Sequence, residues 1–415
     1  MRRPRFPRTA GSGPLGEPKR LRAGVAMAAA SVVLIASAVA YLHPLPPLGR
    51  SKSPTAPASN AVPRPTPILA WISFGDADHG AVALVRPPGS SPSATTSWVT
   101  ADGGRTWQSF TALGSASSVV IFDSPRHAVA GPAAPGSSMV TDDGGLTWRP
   151  LPLPGPGWLT FLDAERGWLL QPLGERLTGP HPVALWRTSD DGATWQRLSA
   201  LGVPDAGTKG PLSFADLEHG VMVVGTSGGA FLSLLTTVDG GVSWQPAATF
   251  GSPLPGAYLF GTRLFVRGMR LLAVPFWVTG AEVDAGGNVR LGADAIIHPS
   301  VSVSDDAGQT WSPLRAAPTA GDASKGIVGP TMDDRGRLVV FDRGRLWVSE
   351  DSGTTWRAHG AALPRGMEAV GPITAAPGAL FVAARADRLA PLSELLRSRD
   401  GGSHWSVVPL PKLPA

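Results

Sequence analysis

The chain has 415 residues, with 51 glycines, 42 prolines and no cysteine, and a formal net charge of +5. Lack of cysteine excludes disulfides, thiolate metal sites and thiol nucleophiles, and the glycine and proline content favours turns over long helices. The basic balance belongs to one end. Residues 1–22 sum to +6 and the stretch up to Arg64 adds +3, leaving −4 for residues 65–415, so nucleic-acid binding is not expected.

Residues 1–22 form a basic tail, with Arg2, Arg3, Arg5, Arg8, Lys19, Arg20 and Arg22 against Glu17. Residues 23–42 carry no charge, and as a helix they span ~30 Å, the thickness of a bilayer core. Positive charge ahead of an apolar span predicts a cytoplasmic amino terminus and export of the rest. The reading is a single-pass signal-anchor; Ala38-Val39-Ala40 also has the form of a signal-peptidase site, and cleavage after Ala40 would release the protein. Residues 43–66 are rich in Pro, Ser and Ala and read as an extended spacer of ~75 Å.

From residue 67 to 415 an eight-residue pattern recurs seven times, each copy closing on a tryptophan. The copies begin at Thr100, Thr141, Thr188, Thr237, Ser304, Ser349 and Ser398 and end at Trp107, Trp148, Trp195, Trp244, Trp311, Trp356 and Trp405. Their third positions are Asp102, Asp143, Asp190, Asp239, Asp306, Asp351 and Asp400. Side chains of Asp and Ser/Thr accept hydrogen bonds from backbone N–H groups of their own turn, Gly supplies positive φ, and Trp offers a large apolar face to a neighbour. A period in the forties is one four-stranded propeller blade. The expectation is an all-β fold: a seven-bladed β-propeller of four-stranded antiparallel blades, preceded by one transmembrane helix.

A second repeat precedes the boxes. Phe74-Gly-Asp76-Ala-Asp-His79-Gly80, Phe161-Leu-Asp163-Ala-Glu-Arg166-Gly167 and Phe214-Ala-Asp216-Leu-Glu-His219-Gly220 share one form, and Phe122-Asp123-Ser-Pro-Arg126-His127 is a looser fourth. Each reads as the hairpin between the first two strands of a blade, with Asp turning the chain and Gly permitting the turn.

The eight-residue pattern is the Asp-box, and it resembles the boxes of sialidases, certain glucan hydrolases, sortilin-type receptors and photosystem II assembly factors. Together with the Phe-x-Asp-x-x-x-Gly repeat and Trp168-Leu-Leu, it is similar to the repeat of the photosystem II assembly factor family over most of residues 67–405. That resemblance implies a seven-bladed, non-enzymatic propeller on the far side of a membrane that helps new membrane proteins assemble. It also implies that the box aspartates are scaffold. The family's functional surface is a basic patch, whereas this propeller is net acidic. The sialidase resemblance would require an Arg-Ile-Pro motif, which the chain lacks, and a Tyr nucleophile. Only Tyr41 and Tyr258 exist, one in the apolar span and one opening a strand.

No catalytic residues are assigned. His79, His127 and His219 read as turn residues at the rim, and no metal or cofactor site is expected. The irregular blade is the place for binding, because Trp244 to Trp311 runs about 20 residues beyond the period. It holds Arg263, Arg267, Arg270 and Arg290 with Trp277 beside Phe276, a candidate contact for an extracytoplasmic protein or glycan. The functional reading is a membrane-anchored extracytoplasmic binding or assembly scaffold; the alternative is a cell-surface glycoside hydrolase.

Overall fold

The computed structural model describes residues 68–411 apart from 86–94, 111–119, 132–137, 174–181, 226–228, 284–288, 320, 323–328, 343, 365–366, 370–372 and 386–392. The expected tail, apolar span and spacer, residues 1–66, lie outside the described residues.

The described residues form seven antiparallel sheets in chain order, at 68–110, 120–150, 158–198, 208–251, 258–322, 331–359 and 368–408. Each is a meander in which consecutive strands pair, which short connections favour. The fifth carries one extra short strand, and the seventh has its first strand broken in two.

The core is not one cluster but seven, each shared by two neighbouring sheets. Val120 and Phe122 of the second sheet pack on Ala81 and Val99 of the first; Phe161 and Leu169 of the third meet Val140 and Leu151. The series continues through the third and fourth, fourth and fifth, fifth and sixth, and sixth and seventh sheets. It closes where Phe74, Val82 and Leu84 of the first meet Phe381, Leu395 and Val408 of the seventh. First strands touch first strands around the inside, including Ile68–Phe74 against Thr374–Ala376. This is a β-propeller.

The ring closes without a shared sheet: residues 68–110 build the first sheet and 368–408 the seventh. Side chains join them. Phe74 stacks on Phe381, and the Trp107 indole N–H donates to the Pro409 carbonyl at 2.7 Å.

Each box turns the chain between the third and fourth strands, as its residues dictate. In the second sheet Asp143 Oδ1 accepts from the backbone N–H of Leu146 and Thr147 at 2.9 Å, and the Thr141 hydroxyl accepts from Gly145 N–H at 3.0 Å. That last glycine is doubly required. Its φ is positive at Gly104, Gly145, Gly192, Gly241, Gly308, Gly353 and Gly402, and a Cβ there would overlap Val408, Val99, Leu151, Leu185, Val221, Val301 or Leu346 of the preceding sheet. The box is therefore both turn and inter-sheet contact.

The glycine of the second repeat works differently from the expectation. Gly80, Gly167 and Gly220 do not have positive φ. Instead the ring of Phe74, Phe161 or Phe214, six positions earlier, occupies the space a Cβ would take. The turn itself is made by the aspartate: Asp76 Oδ1 accepts from Asp78 and His79 N–H at 2.7 and 2.6 Å, and Asp216 Oδ1 from Glu218 and His219 at 2.8 and 2.7 Å.

Candidate functional site

The box aspartates are spent on structure. Burial would raise the Asp102 carboxyl, but hydrogen bonds from Thr106, Thr100 and Arg105 outweigh it and hold the group down at about 2. Asp143 behaves alike, and at Asp351 the Thr355 backbone and hydroxyl bonds lead. Asp190, Asp239, Asp306 and Asp400 are likewise lowered. A carboxylate with its lone pairs filled and its proton gone is a poor acid and a poor base near neutral pH. His404 fills the hydroxyl's place in the last box, its Nδ1 lying 2.6 Å from Asp400 Oδ2.

The long interval in the fifth sheet is an extended hairpin rather than a loop. The strands Arg270–Val283 and Val289–Ser304 run 14 and 16 residues, and their ladder reaches Val283↔Val289, past the Tyr258↔Val278 pair where the inner strand ends. The arginines do not share one surface. Arg270 opens its strand at the box end, donating to Asp305 and to Ser352 Oγ of the sixth sheet at 3.0 Å. It is an inter-sheet pin. Arg290 lies on the protruding hairpin opposite Glu282. Trp277 is fully buried between the fourth and fifth sheets, so it can offer no face to a partner.

Arg263 and Arg267 remain together. A β-bulge between Leu259 and Gly261 resets the inner strand Tyr258–Arg267. Leu264 and Val266 then face the fourth sheet, while Phe265 faces the sixth; Arg263 and Arg267 share the latter face by alternation. Arg263 is only 5% exposed. Its guanidinium carbon sits 5.2 Å from the centre of the Phe276 ring, and its Nε is buried without a hydrogen-bond partner. Burial alone pushes the group down from 12.5 to about 10, which leaves it charged at neutral pH. Arg267 is half-buried, pulled down by burial and back up by Asp334 and Asp333. A desolvated guanidinium over a phenyl ring, with no carboxylate among the described residues bonded to it, is arranged to accept an anion.

A second charged cluster lies between the second and third sheets, and sequence reasoning missed it. His127 is fully buried rather than at the rim. Its Nδ1 is 2.6 Å from Asp123 Oδ2 and its Nε2 is 3.3 Å from Asp191 Oδ1. A ring nitrogen of His127 and the carboxylates of Asp142 and Asp191 come within 4.8 Å of one another. Arg149 already supplies positive charge there, bonding to Asp191 and lying 3.6 Å from Asp142. The one sequence signal was Asp191 itself. It fills the fourth box position, which is glycine at 103, 144, 240 and 401, and takes φ 58° to do so.

No protein-family model matches the chain, and no curated protein does. Among solved structures it is similar to YCF48 bound to a D1 peptide, at 20% identity and TM-score 0.43 over 76% of this chain and 89% of that one. It is also similar to the β-propeller domain of the Trilobed protease from Pyrococcus furiosus, at 11% and 0.45 over 83% and 95%. A third is the α-L-arabinanase of Penicillium chrysogenum complexed with arabinobiose, at 11% and 0.33 over 80% and 96%. At these identities function must be read from the chain's own side chains.

Proposed function

We propose that this chain is a seven-bladed propeller, held outside the cytoplasm by residues 23–42, that binds an anionic group of another cell-envelope protein and serves as an assembly scaffold rather than a catalyst. Arg263 carries the reading: it is buried, charged and bonded to no acid among the described residues. Taking a guanidinium out of water without a partner costs several kcal/mol, of which a cation–π contact returns about 2. The fold alone does not recover that cost. An arriving carboxylate does, since a charge-assisted bond in a dry site is far stronger than one in water. The half-buried Arg267 on the same face widens the positive field at the inner strand of the fifth sheet.

The test is a mild cross-link of intact cells, followed by capture of the tagged full-length protein from solubilised membranes and mass spectrometry. A reproducible envelope protein at near-equal amount, lost when residues 68–411 are deleted, is the expected result. Recovery of glycan alone, with hydrolysis of it by the purified protein, would replace the scaffold with an enzyme.

A further inference from the structure

We propose that His127 is carried as an imidazolium that latches the second sheet to the third, and that the latch releases as the pH rises. The geometry sets a carboxylate against each nitrogen of one ring. Asp123 Oδ2 stands 2.6 Å from Nδ1 and Asp191 Oδ1 stands 3.3 Å from Nε2. A neutral imidazole has one N–H, so beside two ionised carboxylates it would turn a bare lone pair toward one of them in a fully buried setting. An imidazolium serves both.

The surrounding charges complete the pattern. Asp123 and Ser124 belong to the ring's own turn, and Ser124 Oγ accepts from His127 N–H at 3.0 Å. From the box of the same sheet comes Asp142 and from the strand after it Arg149; from the third sheet come Asp191 and the Phe161 ring, 4.7 Å away. Asp163, also of the third sheet, acts on Asp123 through space. Signs alternate along Asp123, His127, Asp191, Arg149 and Asp142, which stabilises every member at once. Burial would drive the imidazole pKa down, but the Asp123 charge outweighs it and the direction is up. Burial also pushes the Asp123 carboxyl up, so the proton is held by the Asp123–His127 pair as a unit.

A group whose pKa is raised on folding contributes fully below its unfolded value, about 6.5, and loses its contribution as pH rises through the folded value. The latch therefore holds below about 6.5 and is lost as the pH rises through the raised value of the folded ring. Asp191→Gly is the decisive variant. It restores the residue that four other boxes carry and relieves a non-glycine positive φ, so folding is not at risk.

The experiment follows thermal unfolding of full-length wild type, Asp191→Gly and His127→Gln from about pH 6 to about pH 9, with ¹³C-labelled histidine rings observed by NMR in the wild type. The wild type should lead both variants by a few degrees at the acid end, the lead should close toward the alkaline end, and the His127 ring should titrate above about 6.5. A gap constant with pH, or a His127 ring titrating below that value, would overturn the latch. So would stoichiometric Zn²⁺ uptake by the wild type that Asp191→Gly abolishes, because the ring would then be a neutral ligand.

Discussion

Phe74 of the first sheet stacks on Phe381 of the seventh with ring centroids 3.6 Å apart and planes 8° from parallel. Trp168 of the third sheet and Phe214 of the fourth repeat the arrangement at 3.6 Å and 7°. The joint that closes the ring is thus built like a joint in its interior. In each, the phenylalanine of the Phe-x-Asp repeat lies on an aromatic of the preceding sheet's second strand.

Removing that ring should open the joint. Phe381→Ala is expected to cost about 3–5 kcal/mol, read as a shift of the denaturant midpoint. Phe74→Ala should cost a similar amount, and the double variant less than the sum, because both delete one contact.

The boxes predict acid sensitivity. Their carboxyls lie below the ordinary carboxylate range, at about 2 for Asp102, Asp143 and Asp351. A depressed folded-state pKa contributes stability above the unfolded value of about 4, and that contribution is lost as pH falls toward 2. The melting temperature should fall steeply over that window, and Asp143→Asn should flatten the fall while lowering stability at neutral pH.

Glycine at the fifth box position should tolerate nothing larger. Gly145→Ala must place a Cβ at φ 96° and against Val99 of the first sheet. It should destabilise by more than about 1 kcal/mol, whereas Ala substitution at Gly256, where a Cβ meets nothing within 4 Å, should cost only the strain of its φ.

The architecture was legible in the sequence because one local rule repeats. Asp, hydroxyl, Gly and Trp act within eight residues, and seven copies at blade spacing leave few alternatives. The second repeat was found but its glycine misread, since the Phe214 ring folding back over its cross-strand partner Gly220 is a packing contact that turn chemistry does not show. The binding residues were harder. Strand alternation alone cannot say which face an arginine takes when a bulge at Leu259–Gly261 resets the register. It also cannot show that Trp277 is sealed between sheets. His127 looked like its rim counterparts because its partner, Asp191, is 64 residues away.

Arg263 is the centre of the proposed anion-binding surface, and capture by Arg263→Met tests its role most directly. Methionine has similar bulk and no charge, and replacing buried charge with well-packed apolar side chains of similar volume is often neutral or stabilising. The full-length variant should melt at or above the wild-type temperature and yet lose the cross-linked partner. Undiminished capture by a folded Arg263→Met protein would contradict the account.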